Sequence, residues 1–396
     1  MKRRLPMKRR TLTMSMPKRL CLLFLCMAVL LFFNGCSNSY DRNSFHILDL
    51  SYDEQEGIYA FVNGNLFFET IEDDVCVLKQ RTPKGEIVEN GSVKQIVSRT
   101  TRAFDSPYLY MYRGITDDTS ANYTNSNEAV AAINILDHSM KLYKHPEAQA
   151  QGLQTYVFNH EVVTVRSYPE GNLSVSFIES FDPKTETWKK HLKSTYDSVS
   201  VTGAEIHEIC PGGDNLFVLM DEWESPESHQ TKLKILDKNY ELVKTYNISE
   251  ELYKWMLSYI LTGMQFYNGY LYIASPGQGL LFQIRDDDLN LVHKDYDFRS
   301  ATVASDSEPL FYKSYSNIIY TIDEAGNLKE YKLSIKNGFV ITNIIADNNE
   351  CCVLFKNLEN RLISACIIGK NLFIDADYIF DPGPGTKQPF SEEIRG

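Results

Sequence analysis

The chain has 396 residues, with 40 Lys and Arg against 52 Asp and Glu and a formal net charge of −12. Residues 1–36 hold eight of the basic residues and no acid, so the remainder carries 32 (40 − 8) against 52, a net of about −20. Such a surface repels phosphate backbones, and nucleic-acid affinity rests on cationic contacts, so DNA and RNA are excluded as expected partners.

The first element is an export signal. Lys2-Arg3-Arg4, Lys8-Arg9-Arg10 and Lys18-Arg19 precede a 14-residue apolar run from Leu20 to Phe33. That is the order of a secretory signal, and the run is shorter than the roughly 20 residues of a spanning helix. Gly35 supplies a small residue before a cut, and Cys36 supplies a thiol after it. Phe33-Asn34-Gly35-Cys36 resembles the lipobox of bacterial lipoproteins, with Phe33 and Asn34 in place of the commoner Leu and Ala or Ser. The resemblance implies cleavage after residue 35, palmitate-type acylation at Cys36, a short lipidated linker over 36–44, and a place on a membrane outside the cytoplasm, at the outer membrane or cell surface. An acidic surface facing anionic lipid also favours an anchor over adhesion.

From about residue 45 the pattern is short apolar or aromatic runs broken by Gly, Asn, Asp and Pro, the signature of strands and turns. One kind of run recurs around Leu66, Leu109, Val163, Leu216, Leu271, Leu310 and Val353, with gaps of 43, 54, 53, 55, 39 and 43. A later strand ends in Asp at Asp137, Asp237, Asp286 and Asp323, where Asp serves as a turn former. A repeated four-stranded unit of about 40–50 residues predicts an all-β fold, a β-propeller. Seven blades are counted over 45–380, and six or eight also fit the uneven gaps. His46-Ile47-Leu48-Asp49-Leu50 is expected to supply the outer strand that ties the ring. Two β-sandwiches would leave no period. One short helical insertion is expected: Ser249 N-caps residues 250–261, Gly263 ends the helix, and Leu252, Trp255, Met256, Tyr259 and Ile260 form one apolar stripe. Trp255 and Tyr259 make it a candidate docking helix, beside the plainer expectation that it packs on the ring. The tail 381–396, opening with Asp381-Pro382-Gly383-Pro384-Gly385, is expected to be flexible.

The layout looks like that of bacterial propeller lipoproteins, including the six-bladed TolB-like kind, and Asn317 to Lys329 is the segment most similar to them. The resemblance covers about 45–375 and rests on the repeat pattern. It implies a propeller fixed to an envelope membrane.

Cys21 and Cys26 leave with the signal, and Cys36 is used by lipid. Cys76, Cys210, Cys351, Cys352 and Cys366 remain, an odd number that cannot all pair within the chain. A hairpin turning at Leu358-Glu359 would set Cys351 opposite Cys366, so a disulfide there and packed free thiols both stay open. No catalytic or metal-binding motif is present: G-x-S-x-G, P-loop, HExxH, EF-hand and zinc spacings are all missing. The eight scattered histidines read as lone surface or core residues; His207 and Glu208 are expected to face opposite ways on a strand. Neither catalytic residues nor a cofactor nor a metal is expected.

Two acidic stretches are candidate binding loops: Asp117, Asp118 and Tyr123 in blade 2, and Asp221, Trp223 and Glu224 in blade 4. Both are read as links between second and third strands, and so as lying on one face of the ring. The expected function is a membrane-anchored, non-catalytic binding or scaffold propeller for an envelope protein or glycan. The alternative is a propeller-type glycan hydrolase or lyase with carboxylates converging in the central funnel.

Overall fold

The computed structural model describes residues 45–387, apart from residues 74, 94–102, 116–126, 147–150, 250–262, 276–277, 286–287, 296–297, 301, 304–309, 323–326 and 348. Apart from two short parallel pairings, Thr302–Val303 with Ile345–Ala346 and Ser334–Ile335 with Ile379–Phe380, the described strands form seven four-stranded antiparallel units in chain order. Blade 1 is Ile58–Val62, Asn65–Glu72, Val75–Arg81 and Ile87–Val93; blade 2 is Ala103–Asp105, Tyr108–Ile115, Asn127–Asn134 and Met140–Lys144. Blade 3 is Gln151–Phe158, Glu161–Glu170, Leu173–Asp182 and Thr187–Asp197; blade 4 is Thr202–Gly212, Asn215–Ser225, Ser228–Leu236 and Leu242–Asn247. Blade 5 is Gly263–Tyr267, Tyr270–Ser275, Gln278–Arg285 and Asp288–Asp295; blade 6 is Phe298–Ser300, Phe311–Lys313, Ile318–Ile322 and Leu328–Lys332. Blade 7 is Phe339–Ala346, Glu350–Asn357 and Ile363–Gly369, completed by Phe45–Ile47 from the other end of the described chain. The fold is a β-propeller, and the recurring runs lie on, or at the start of, the second strands of the blades.

Strand alternation makes the ring. Each second strand sends successive side chains to opposite faces of its sheet. In blade 4, Leu216, Val218 and Met220 pack against blade 3, while Phe217 and Leu219 pack against blade 5. In blade 1, Phe67 faces blade 2, while Leu66 and Phe68 face blade 7. Seven apolar clusters result, one between every pair of neighbouring blades, including blades 7 and 1. No blade could bury both its faces alone, so the period of the sequence and the closure of the ring have one physical cause.

Asp residues shape the turns between third and fourth strands. Asp137, Asp182 and Asp237 accept hydrogen bonds from the backbone N–H of Ser139 (3.0 Å), Lys184 (2.9 Å) and Asn239 (2.8 Å). The carboxylate replaces a backbone acceptor two residues on, which is why Asp recurs there.

Two expectations are corrected. In blade 7 the hairpin turn spans 358–361, with Asn357 N–H donating to Leu362 O at 2.8 Å. Cys351 therefore lies opposite Ile368, and Cys366 lies opposite Val353, so Cys351 and Cys366 are not a facing pair. All five described cysteines are buried thiols with no disulfide among them. The tail is also ordered over its described part: Ser364 Oγ donates to Pro382 O (2.6 Å), Ile363 and Thr386 exchange backbone hydrogen bonds, and Lys336 pairs with Asp381. Phe380 is fully buried beside Phe373 and Tyr378. The helix expected over 250–261 lies outside the described residues. Among the described residues no helix is long and apolar enough to cross a membrane.

Candidate functional site

Blades 3 and 4 differ from the rest. Their second strands run for 10 and 11 residues, and the last strand of blade 3 hydrogen-bonds to the first strand of blade 4, merging both blades into one eight-stranded sheet. The joint is the pairing of Tyr196 with Gly203 and of Asp197 with Thr202. Register then carries one row straight across the sheet: Ser174 opposite Tyr196, Tyr196 opposite Gly203, Gly203 opposite Trp223, and Trp223 opposite His229. Directly opposed residues share a face.

Gly203 is the gap in this row. Its φ is +110°, and a Cβ there would sit 2.1 Å from the carbonyl oxygen of Thr195. With no side chain between them, the rings of Tyr196 and Trp223 approach to 4.6 Å. Trp223 also stacks on His229 at 5.1 Å. The three rings form one half-buried strip, interrupted only by exposed backbone.

Two pairs along, on the same face, Glu205 lies opposite Asp221 and Asp221 opposite Thr231. Asp221 is 1% exposed. Its carboxylate accepts from Thr231 Oγ1 at 2.7 Å and meets His207 Nε2 at 2.9 Å, while His229 Nε2 lies 3.2 Å away. Burial alone would raise the Asp221 carboxyl above its ordinary range. The His207 hydrogen bond and charge, the Thr231 hydroxyl and the His229 charge outweigh it and hold the carboxyl below that range. His207 reaches this site from a β-bulge between Ile206 and Glu208. The extra residue turns the local strand, so His207 joins Asp221 while Glu208 accepts from Tyr156 OH at 3.1 Å. At the rim, Ser174 Oγ donates to Glu205 Oε1 at 3.2 Å.

A second polar centre joins blades 2 and 3. Arg166 is fully buried; its Nη1 donates to Glu179 Oε2 at 3.0 Å and lies 2.6 Å from His145 Nε2, which is itself 3.0 Å from Glu179 Oε2. Tyr112, Phe177, Phe181 and Trp188 enclose the group; Trp188 lies 4.4 Å from both His145 and Phe181. Ion pair and aromatic wall together hold two blades in register.

These contacts revise the reading of the blade 4 candidates. Asp221-Glu222-Trp223-Glu224 is not a loop: the strand continues to Ser225, and only Pro226 and Glu227 turn before Ser228. Asp221 is buried, Trp223 is half-buried against Tyr196 and His229, and Glu224 alone of the three candidates is exposed. Glu222 pairs with Lys232 and with Lys234 (2.9 Å). Acidic residues have low strand preference, and here their cross-strand Lys, Thr and His partners outweigh it. Asp117, Asp118 and Tyr123, together with Trp255, Tyr259 and Cys36, lie outside the described residues. His207, His229, Thr231, Tyr196 and the Arg166–Glu179–His145 group carry no sequence motif; only the polar alternation of His229 and Thr231 hints at a facing strand. Among the described residues no group of three His, Cys, Asp or Glu could hold a metal ion.

No protein-family model matches the chain. No curated protein matches it either. Among solved structures it is similar to an oligogalacturonate lyase from Vibrio parahaemolyticus at 8% identity and a TM-score of 0.48, over 82% of this chain and 90% of that one. It is similar to a prolyl endopeptidase at 11% identity and a TM-score of 0.46, over 80% of this chain. There it spans about half of the neighbour's length, 47%. The β-propeller domain of the Trilobed protease from Pyrococcus furiosus is similar at 10% identity and a TM-score of 0.38, over 66% of this chain and 93% of that domain. Likeness at this level transfers no activity. The class is defined by the chain's own seven blades: a β-propeller.

Proposed function

We propose that this chain is an extracytoplasmic lipoprotein, held on a membrane by acyl groups at Cys36, whose propeller binds an envelope protein or glycan without catalysing a reaction. The observation that carries the non-catalytic part is the state of the three most deeply buried carboxylates among the described residues. Glu179 is held by Arg166, Glu208 by Tyr156, and Asp221 by Thr231 and His207. A glycosidase needs two carboxyl groups facing a common substrate space about 5–10 Å apart. These three instead serve internal partners, which supports binding over hydrolysis or lysis. The anchor rests on the basic, apolar and small-residue order that ends at Cys36. Several acyl chains make detachment slow, at about 0.8 kcal/mol per buried CH2.

Two measurements test the reading. Radiolabelled palmitate is expected in the wild-type protein and not in Cys36→Ala; equal labelling of both overturns the anchor. In-cell crosslinking and pull-down of the lipidated protein is expected to recover a specific envelope protein or glycan. A glycan recovered together with turnover would replace the binding module with an enzyme.

A further inference from the structure

We propose that the outer edge of blade 7 is the surface on which the propeller meets lipid. This rests on the reading of Cys36 as the acylated residue and adds which side of the ring faces the membrane.

Both ends of the described chain converge on that edge. Phe45–Ile47 pairs along Cys366 to Ile368, and Leu48 N–H donates to Ala365 O. Past Ala365 the tail takes over: Thr386 exchanges backbone hydrogen bonds with Ile363, and Ser364 Oγ donates to Pro382 O. Phe45 lies 6.2 Å from Tyr378 and 6.0 Å from Phe380, and a Cβ on Gly383 would meet Ile47 Cδ1 at 3.0 Å. The N-terminal strand and residues 378–383 thus form one packed surface, with apolar side chains on its outside. Ile47, Ile374 and Ile379 are 49%, 54% and 57% exposed, Pro384 is exposed, and Phe45 and Tyr378 are half-buried.

Lipid fits this surface in reach and in size. Cys36 precedes Phe45 by nine residues, and an extended chain spans at most about 3.6 Å per residue, so acylation keeps this edge within about 32 Å of the membrane. Leu242 and Val243 are exposed too, but on the outer strand of blade 4, across the ring from blade 7. A stable protein interface takes about 800 Å² from each partner, roughly 20–30 residues. A handful of apolar side chains falls short of that. On an anchored protein a weak contact suffices, because the tether keeps the lipid at high effective concentration. Tyr378 suits the headgroup level, where rings with one polar edge collect. Exposed charges at the border are of both signs, Asp375, Asp377 and Lys387, and Lys336 and Asp381 pair with each other. The surface therefore offers apolar contact and not a net charge, which makes zwitterionic phosphatidylcholine the probe.

The test uses the full-length acylated protein on phosphatidylcholine vesicles. A polarity-sensitive thiol label is attached in Ile374→Cys, in Ile379→Cys and, as the control, in Leu242→Cys; the described native thiols are buried. Nitroxide-bearing phosphatidylcholine is expected to quench the labels at 374 and 379 by about twofold or more and to leave the label at 242 unchanged. Thermal melting identifies any variant that fails to fold. Photo-activated diazirine phosphatidylcholine reads the same surface in the unlabelled wild type: adducts are expected on peptides covering 45–47 and 374–384 and not on 242–247. Equal quenching at 242 and 379, no quenching at 374 and 379, or lipid adducts confined to other blades overturns the proposal. A label at 379 that is shielded from water without being quenched gives the surface to a second copy or another protein, and overturns it too. Palmitate labelling separates this proposal from the reading it rests on. If palmitate enters at Cys36 and the edge is not quenched, the anchor stands and the lipid-facing edge falls. If palmitate does not enter, both fall.

Discussion

Ile47, near the start of the described chain, lies directly opposite Cys366 in the last blade. With Phe45 opposite Ile368, and with Leu48 N–H donating to Ala365 O at 2.9 Å, the N-terminal strand becomes the outer strand of blade 7 and ties the ring. Leu48 and Leu50 enter the apolar cluster between blades 7 and 1. Leu48→Ala is therefore expected to cost about 2–5 kcal/mol, the range for a buried Leu cut to Ala. Leu48→Pro should cost more, because it also removes the bond to Ala365. Urea unfolding followed by circular dichroism checks both; midpoints equal to wild type would show that the closing strand adds nothing.

The Arg166–Glu179 pair gives a double-variant test. Glu179→Leu leaves a fully buried guanidinium without its carboxylate and is expected to destabilise by about 3–5 kcal/mol. Arg166→Met leaves the Glu179 carboxylate only its contact with His145 Nε2, at 3.0 Å, and is expected to destabilise as well. The double variant should be more stable than the sum of the two predicts, because apolar groups of similar size replace both charges inside an aromatic wall. Additive losses would show that the two charges act independently.

Asp221 sets an acid limit. Its folded carboxyl is held below its ordinary range, net of a burial effect that opposes this. A depressed folded value means stability that is present above the unfolded carboxyl's value, about 4, and lost as pH falls through the folded value. Wild type should lose urea resistance below about pH 4, and Asp221→Asn should lose less over the same interval while being weaker at neutral pH. Parallel pH profiles for the two proteins would remove Asp221 as the cause.

The thiols of blade 7 should be inert in the folded protein. Burial pushes Cys351 and Cys366 up to about 12 and Cys352 higher still. The thiolate is the reactive form, so little of it exists at neutral pH. Iodoacetamide followed by peptide mass spectrometry should modify Cys351, Cys352 and Cys366 only after unfolding, and a reductant should leave the melting temperature unchanged. Rapid native labelling of any of the three would contradict their burial.

The repeat is readable in sequence because each blade imposes the same local demands. Leu66, Leu109, Val163, Leu216, Leu271 and Val353 all fall on second strands, and alternation along those strands feeds the clusters on either side. The Asp turns are local too, since Asp137 and Asp237 bond to backbone only two residues ahead. The blade 4 site behaves differently. Asp221 read as part of an acidic loop because its partners, His207 and Thr231, come from the strands on either side. His207 reaches it only through a bulge that no residue type marks.

By itself, the sequence determined an acidic chain, a basic and then apolar run ending at Cys36, and a repeat of strands, because charge, hydropathy and period are sums over neighbours along the chain. Tertiary structure alone decided which residues meet. A four-residue turn in place of a two-residue one moved Cys366 from Cys351 to Val353. One glycine with a positive φ let Tyr196 reach Trp223, and one buried guanidinium gathered His145 and Glu179 from two blades. Register, bulges and contacts between blades depend on residues far apart in sequence, and a one-residue slip sends every side chain of a strand to the other face.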